Sequence, residues 1–289
     1  MNHLTRREFI HKGATALALT SAFTPSWLHA NELPSAIQGS IGFQSWIVRE
    51  QISKDFPGTL KKMAGLGYQS VEMCSPPGYL NSGFGSLQNL KAIEMKRIIN
   101  DEGLTCESCH YGFDELKKDG EDRMNFAAEL GLTQMVLSSF GLPKNASLSD
   151  WKRAADELNK LGEVAKSEGL QMVYHNHNME FETLEGQLIY DVLLKQLDSD
   201  LIKMQFQVWV VIAGYTAANY FRKYPGRFIS AHLSDWTGKG VEYATLGQGK
   251  VDWKDFFEAS KIGGLKNFFV EMEGMDHLQE SVLYLKKLS

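Results

Sequence analysis

The chain has 289 residues, a net charge of −5 at pH 7, 43% hydrophobic residues and 22% charged residues. A chain of this length can bury one sizeable core, and nothing in its composition indicates disorder or a membrane span. The acidic balance argues against a nucleic-acid partner, which would require a basic face.

The N-terminus carries the pattern of an export signal. Arg6 and Arg7 precede an aromatic and an aliphatic residue, and a short apolar run follows over residues 13–23. This run is too short to cross a bilayer, which needs about 20 residues, and no cysteine near residue 30 could carry a lipid. We therefore predict a cleaved twin-arginine signal over residues 1–30, one domain over residues 31–289, and a periplasmic protein without a membrane anchor.

A repeated unit follows the signal: an amphipathic helix, a glycine, and a short apolar strand. The glycines of the five clearest units are Gly67, Gly103, Gly131, Gly169 and Gly264. A glycine just past a helix adopts the left-handed conformation that ends the helix without a Cβ clash. The apolar runs that follow are typical of parallel strands covered on both faces.

Three further apolar segments complete a set of eight predicted strands. The eight predicted strands cover residues 40–46, 68–73, 104–110, 132–140, 170–175, 203–210, 228–233 and 265–271. Between them we predict helices, one of which covers residues 151–166 after Ser149 and Asp150, while Pro57 lies in the first turn of an earlier one.

Strict alternation of strands and helices leaves either an open doubly wound sheet or a closed barrel. An open Rossmann sheet would have a glycine-rich turn after its first strand, whereas residues 43–48 contain no glycine. Eight units in a chain of this length predict an α/β fold of the (β/α)8 TIM-barrel type.

Cys106, Cys109 and His110 have the spacing of a c-type haem attachment site. Haem attachment needs an unfolded segment after export, whereas a twin-arginine substrate crosses the membrane folded. The segment is also a predicted strand, in which positions three apart point to opposite faces. We therefore expect neither haem nor a disulfide here, and buried free thiols instead.

In this type of barrel the chemistry gathers at the C-terminal ends of the strands. Several imidazoles and carboxylates fall there: His110, His175, His177, His232, Glu72 and Glu271. Imidazole with carboxylate suits Zn, Mn, Fe or Co, so one divalent metal ion is the predicted cofactor. A polar barrel mouth that binds no metal is the alternative.

The chain resembles the sugar phosphate isomerase/epimerase family, the xylose isomerase-like barrels that also include endonuclease IV. The resemblance extends from the first strand to the eighth. Its most specific segments are YHNHNMEF at residues 174–181, AHLSD at 231–235, LGQGKVDW at 246–253 and VE at 270–271.

This resemblance implies a metal site with one ligand from each of strands 5 to 8. His232 and Glu271 match the family's histidine and glutamate, while His175 stands where many relatives have glutamate and Gln207 where they have aspartate. The implied metal ligands are therefore His175, Gln207, His232 and Glu271. Gln207 brings an amide oxygen but no charge, which predicts weaker metal binding.

The resemblance also implies proton abstraction beside a metal-polarised carbonyl, ending in isomerisation, epimerisation or β-elimination. Glu271 and His177 are the candidate catalytic residues. The candidate substrate-binding residues are Glu72, His110, Glu180, Trp46, Trp209 and Asp235. The expected partner is a small-molecule carbohydrate without phosphate, because sugar phosphates stay in the cytoplasm. Exported relatives include lyases that act on 3-keto-glycosides, which makes a 3-keto-glycoside one expected substrate.

Two alternatives accompany this prediction. A non-catalytic periplasmic sugar-binding barrel with a degenerate metal site stays open because of Gln207. A nuclease of the endonuclease IV type is disfavoured, because it would need more metal ligands and a basic surface. The glycine- and proline-rich segment over residues 75–88 is either a lid or a mobile surface loop, and the oligomeric state, including a homo-oligomer, is left open.

Overall fold

The computed structural model describes residue 37 and residues 39–288. The predicted signal over residues 1–30 lies outside the described residues, so the signal and the periplasmic location stay predictions. Within the described part of the chain, no helix has the length and apolar character needed to cross a membrane.

Eight parallel strands close into a barrel. In chain order, β1 to β8 are Ser40–Gln44, Ser70–Cys74, Thr105–Tyr111, Gln134–Leu137, Gln171–His175, Ile202–Gln207, Phe228–Leu233 and Asn267–Val270. Each strand pairs with its neighbours in chain order, and β8 closes the sheet onto β1. The predicted TIM barrel is confirmed. Strand β4 is shorter than predicted, since a continuous apolar run does not show where backbone pairing stops.

The helices alternate with the strands on the outside of the barrel. In chain order, α1 to α9 are Arg49–Lys54, Phe56–Leu66, Ala92–Asp101, Phe113–Leu130, Leu148–Ser167, Ile189–Gln196, Ala217–Lys223, Trp253–Gly263 and Met275–Lys286. Pro57 lies in the first turn of α2, as predicted. Gly67 and Gly131 end α2 and α4 with φ of 107° and 91°, which confirms their role as left-handed caps.

Helix α5 begins three residues earlier than the predicted start. Its N-cap is Ser147, whose Oγ accepts a hydrogen bond from the backbone N–H of Asp150, while the Asp150 carboxylate accepts from the backbone N–H of Ser147. This reciprocal capping box satisfies two amides at the helix start. Ser149 and Asp150 therefore lie inside the helix.

The apolar core lies between the strands and the helices. Phe221 on α7 packs against Phe206 on β6, Phe228 on β7 and Phe256 on α8, with ring centroids 4.9–5.7 Å apart. Burial of each such ring contributes about 1.5–3 kcal/mol. Cys74 and Cys109 are buried, Cys106 is half-buried, and all three thiols are free, as expected.

Candidate functional site

A buried carboxylate lies at the centre of the barrel. Glu72 on β2 is fully buried, and its Oε1 accepts hydrogen bonds from Ser108 Oγ at 2.5 Å and Gln205 Nε2 at 2.7 Å. Its Oε2 accepts from Gln44 Nε2 at 2.7 Å and lies 2.5 Å from His232 Nε2. Donors from four other strands thus compensate one charge that has no access to water.

Three imidazoles lie beside this carboxylate. The rings of His110 and His232 are stacked at 5.1 Å, and His175 lies 4.4 Å from His232. One ring nitrogen from each lies within 4.8 Å of the others. Nδ1 of His175 is buried and has no hydrogen-bond partner among the described residues.

Glu271, just after β8, is the point where this network reaches solvent. Its side chain is 21% exposed, and its Oε2 lies 3.0 Å from His232 Nδ1 and accepts a hydrogen bond from Gln207 Nε2. The register of β6 and β7 places Gln207 opposite His232, which brings these groups together.

Glu271 borders a cavity of about 240 Å³ at the mouth of the barrel. The lining residues are Trp46, Ile47, Arg49, His177, Asn178, Gln207, Trp209, Tyr243, Glu271, Met272 and Glu273. The rings of Trp209 and Tyr243 lie 4.2 Å apart and form one aromatic wall, and Trp46 lies beneath the guanidinium of Arg49. A cavity with aromatic walls and one fixed carboxylate suits a small polar ring compound.

The pKa values of the network are strongly shifted. Burial by itself would raise the pKa of Glu72 and of Glu271, but the nearby imidazoles lower that of Glu72 below its usual range and that of Glu271 to about 2. Burial opposes protonation of His232, yet Glu271 and Glu72 raise its pKa to about 10. Without a metal ion the two carboxylates therefore favour the protonated form of His232 at neutral pH, and a metal ion bound to this ring would have to displace one of its protons.

His175 has the opposite character. Burial, together with the neighbouring imidazoles, lowers its pKa well below the ordinary value of 6.5. The ring is therefore neutral, and a neutral imidazole with an unpartnered buried nitrogen can ligate a metal ion.

Of the four predicted metal ligands, the structure brings together His175, His232 and Glu271. The fourth, Gln207, makes different contacts. Gln207 turns its amide nitrogen to Glu271, and its Oε1 accepts from the backbone N–H of Trp209 at 3.2 Å. It positions Glu271 instead of offering an oxygen to the cluster. His110, predicted to bind substrate, joins His175 and His232 instead. This donor set fits a divalent ion, and the binding of one stays a prediction.

Besides Gln207 and Glu271, three predicted site residues line the mouth cavity: Trp46, Trp209 and His177. Their roles stay predictions. Glu72 and His110 lie beneath the cavity and do not line it, and Glu72 already accepts hydrogen bonds on both oxygens. The position of Glu72 therefore suits support of the cluster better than direct contact with a substrate.

Two predicted substrate-binding carboxylates, Glu180 and Asp235, do not line the mouth cavity and are hydrogen-bonded within the protein, so a contact with substrate stays a prediction. Buried Glu180 accepts hydrogen bonds from Tyr174 Oη and the backbone N–H of His177, both at 2.7 Å. Asp235 is fully buried and accepts from the backbone N–H groups of Gly247 and Gly249. Sequence position near a strand end could not show that these carboxylates turn toward backbone amides.

Two amide side chains of the network, those of Gln44 and Gln205, were not among the predicted site residues. Gln205 links Glu72 to His110, whose Nε2 lies 2.8 Å from Gln205 Oε1, and Gln44 donates to Glu72. Part of this network could have been predicted, because Gln205 and Gln207 lie two positions apart on β6 and so point to the same face of the strand. Polar residues on the inward face of a barrel strand indicate a buried polar network.

The architecture and the cluster define a class of protein: a closed β/α barrel with imidazoles and carboxylates at its C-terminal mouth. A family model described as the xylose isomerase-like TIM barrel matches residues 60–288. The chain belongs to this family.

The chain is similar to inosose dehydratases in sequence. The one from Clostridium perfringens is 36% identical over 95 residues, which are 32% of this chain and 31% of that enzyme. The chain thus spans about a third of the length of this relative. The one from Geobacillus thermodenitrificans is 22% identical over 241 residues, covering 70% of this chain and 80% of that enzyme.

Solved structures share the fold. A sugar phosphate isomerase/epimerase from Parabacteroides distasonis superposes with a TM-score of 0.73 at 24% identity, covering 86% of this chain and 98% of that one. The IOLI protein with a bound zinc atom superposes with a TM-score of 0.66 at 13% identity, covering 86% and 96%. At these identities the likeness shows the barrel architecture alone.

Proposed function

We propose that the protein is a metal-dependent lyase that eliminates a β substituent from an unphosphorylated keto-carbohydrate, possible substrates including a 3-keto-glycoside. The observation that carries the proposal is Glu271, an ionised carboxylate at the cavity wall, held by His232 and Gln207. The similarity to inosose dehydratases supports elimination over isomerisation and epimerisation.

The residues at the mouth suit elimination because one carboxylate among them, Glu271, is held in place by the imidazole of His232 and the amide of Gln207. Glu271 takes the proton from the carbon next to the carbonyl, the electrons of that C–H bond form a C=C bond, and the C–O bond at the next carbon breaks. The departing oxygen then takes the proton from Glu271, so protons and charge balance. His177 lines the same cavity and can donate a hydrogen bond to the departing oxygen. An epimerisation would need a second base on the opposite face, and His175 at the matching position is buried.

A divalent ion bound by His110, His175 and His232 beside Glu271 would supply Lewis-acid polarisation of the substrate carbonyl. The unpartnered Nδ1 of His175 and the grouping of the three imidazoles support such a site, as does the zinc held by one structural neighbour. Since the pKa of Glu271 is low, this carboxylate is a weak base. It could remove the proton next to the carbonyl only if polarisation of the carbonyl made that proton more acidic.

The cavity walls support a carbohydrate-like substrate. The Trp209–Tyr243 pair and Trp46 offer ring faces of the kind that stack on sugar rings, and Asn178 and Arg49 offer hydrogen-bond donors beside them.

Arg6 and Arg7 support export, and an exported enzyme meets carbohydrates that carry no phosphate. Replacing both arginines with lysine should keep the protein in the cytoplasm, as fractionation would show, and unchanged export would contradict the location.

One observation favours a second candidate, a non-catalytic sugar-binding barrel. Gln207 stands where the family has an aspartate ligand, and it is hydrogen-bonded to Glu271 instead of being free for a metal ion. Such a protein would bind a carbohydrate in the mouth cavity and leave it unchanged.

Turnover of a keto-inositol, a 3-keto-glucoside and free ketoses, each with and without chelator, tests the proposal. We expect elimination products, loss of turnover with chelator, and a fall in kcat of about 10²–10⁴-fold in Glu271→Gln. Glu273→Gln is the matched control, because Glu273 lines the same cavity without contacting His232 in the described structure. Binding of carbohydrate without turnover of any compound would favour the second candidate.

A further inference from the structure

One side chain of the mouth cavity carries a positive charge that the protein does not neutralise. Arg49, the first residue of α1, lines this cavity and is half-buried. Within the described part of the chain it forms no ion pair, although Glu271 and Glu273 line the same cavity. Water screens a half-buried charge less than an exposed one, so an unpaired guanidinium here can attract an anion.

Neither carboxylate of the cavity is placed to serve Arg49. Glu271 is engaged by His232 and Gln207, and Glu273 is exposed to solvent. The positive charge of Arg49 therefore stays available to a molecule that enters the cavity.

The guanidinium of Arg49 is held in a fixed orientation. It lies over the ring of Trp46, with Cζ 4.5 Å from the ring centroid, and its Nη1 donates a hydrogen bond to the backbone oxygen of Trp46 at 2.8 Å. The rings of Trp46 and Tyr79 in turn lie edge to face, with centroids 6.0 Å apart. The cation–π contact and the hydrogen bond thus restrict the Arg49 side chain before any ligand binds.

The backbone of Arg49 is fixed by the connection that follows β2. Gly83 in this connection has φ of 97°, and a Cβ there would lie 2.8 Å from the backbone oxygen of Arg49. Glycine allows this close approach in the left-handed conformation. The position of Arg49 at the cavity wall is therefore built into the fold.

The contacts with Trp46 leave two nitrogens of the guanidinium free. Nε and Nη2 of Arg49 have no acceptor within the described part of the chain, and neither belongs to the buried atoms that solvent cannot reach. These two nitrogens form a planar pair of donors, which matches the two oxygens of a carboxylate.

We propose that Arg49 binds a carboxylate of the substrate, which narrows the substrate class to keto-carbohydrates with an acidic group, such as keto-uronates. This inference rests on the proposed function for the keto-carbohydrate part. Arg49 follows β1, and Glu271 follows β8, which pairs with β1, so the two side chains lie on adjoining walls of one cavity. The carboxylate lies at Arg49, and the keto group is directed toward Glu271.

Binding of two carbohydrates of the same shape tests the proposal: methyl glucuronide and its uncharged amide, methyl glucuronamide. Neither has a keto group, so the measurement requires no turnover, and its result is independent of whether the protein catalyses elimination. Calorimetry on the full chain should give a Kd at least about tenfold lower for the glucuronide, because its acceptor is charged. In protein labelled with ¹³C at the methionine methyl groups, the glucuronide should shift the signal of Met272, which lines the mouth cavity, and leave that of Met95, which does not.

Two substitutions separate recognition of the charge from a structural effect. Arg49→Gln should bring the Kd values of the two ligands to within about twofold of each other, whereas a merely structural loss would weaken both ligands and preserve their ratio. Arg49→Lys keeps the charge without the planar pair of donors, so it should retain only part of the preference. Arg97→Gln, at an exposed position of α3 where the arginine pairs with Asp101, is the control and should keep the ratio of the unaltered protein.

Equal affinities for the two ligands, or no detectable binding of the glucuronide, would overturn the proposal. A preference for the glucuronide that survives Arg49→Gln would overturn it as well, because the charge would then be recognised elsewhere. Tighter binding of glucose 6-phosphate than of the glucuronide would overturn the carboxylate as the recognised group.

Discussion

Glu72 carries the charge on which the neighbouring side chains of the barrel interior depend. It is reached by Gln44, Ser108, Gln205 and His232, each from a different strand. Because His232 donates to Glu72 with one nitrogen, its other nitrogen is directed at Glu271. The orientation of the one exposed carboxylate in the network is therefore set by a residue that has no contact with solvent.

Replacement of this carboxylate should destabilise the protein strongly. We expect Glu72→Gln to lower the free energy of unfolding by about 3–5 kcal/mol, because it removes the fully buried one of the two carboxylates that balance the His232 charge and leaves only the partly exposed Glu271. Urea denaturation measures the change. Glu121→Gln, at an exposed position of α4, is the control and should stay within about 0.5 kcal/mol. Equal effects of the two substitutions would contradict this account of the network.

The same carboxylate should contribute to acid sensitivity. Because its pKa is lower in the folded chain than the ordinary value of 4.5, its contribution to stability is present above pH 4.5 and is lost as the pH falls below it. Unfolding free energies measured at a series of acidic pH values should therefore decline more steeply for the unaltered protein than for Glu72→Gln. Parallel declines would show that Glu72 is not the group responsible.

At the scale of elements, the connection between β7 and α8 is held by one side chain. Asp235 accepts hydrogen bonds from the backbone N–H groups of Gly247, Gly249 and Val251 and from Nε1 of Trp253. This geometry explains the motif LGQGKVDW at residues 246–253. Its glycines let the backbone fold closely around a carboxylate, and its tryptophan completes the set of donors.

Gly249→Ala should disturb this connection. A Cβ at Gly249 would lie 2.1 Å from Asp235 Oδ1 and 2.6 Å from the backbone oxygen of Trp236, so we expect a loss of about 1–3 kcal/mol. Amide hydrogen exchange over residues 245–253 should become faster. Gly65→Ala in α2 is the matched control, because a Cβ there meets no atom within 4 Å; it should leave stability unchanged or raise it by up to about 1 kcal/mol. Identical behaviour of the two variants would argue against Asp235 as the anchor.

At the scale of the whole molecule, the cluster joins strands that are distant in the chain. His110, His175 and His232 lie on β3, β5 and β7. An ion bound by all three would cross-link the barrel, so its binding energy would add to the stability of the fold. Stability is therefore a readout of metal binding that does not require knowledge of the substrate.

Zinc should raise the melting temperature, and chelator should reverse the rise. Saturation at one hundred times Kd corresponds to about 2.7 kcal/mol. His175→Ala should abolish the response, whereas His277→Ala, on α9 and hydrogen-bonded to Thr245, should retain it. Differential scanning calorimetry checks both. A response that survives His175→Ala would place the ion elsewhere, and no response in the unaltered protein would exclude a zinc site in this cluster.

The positions of the site residues were largely predictable, because the hydrophobic pattern of a strand and the glycine that ends a helix are both local properties of the sequence. The apolar runs and the glycines after the helices located all eight strands. Strand order then placed His110, His175, His232 and Glu271 at one end of the barrel. The residue types were enough to predict imidazole and carboxylate chemistry at that end.

Which atom faces which was decided only by the tertiary structure. Gln207 and Asp235 occupy the strand ends where their family positions predicted ligand or substrate contacts, yet Gln207 donates to Glu271 and Asp235 binds loop amides. Glu72 and Gln205 are 133 positions apart in the chain and meet across the barrel. The direction of a side chain depends on the nearest unsatisfied donors and acceptors, and closure of the barrel is what brings those together. The sequence by itself therefore determined the barrel and the end that carries the chemistry, while the hydrogen-bond partners of each polar group were determined by packing across the closed sheet.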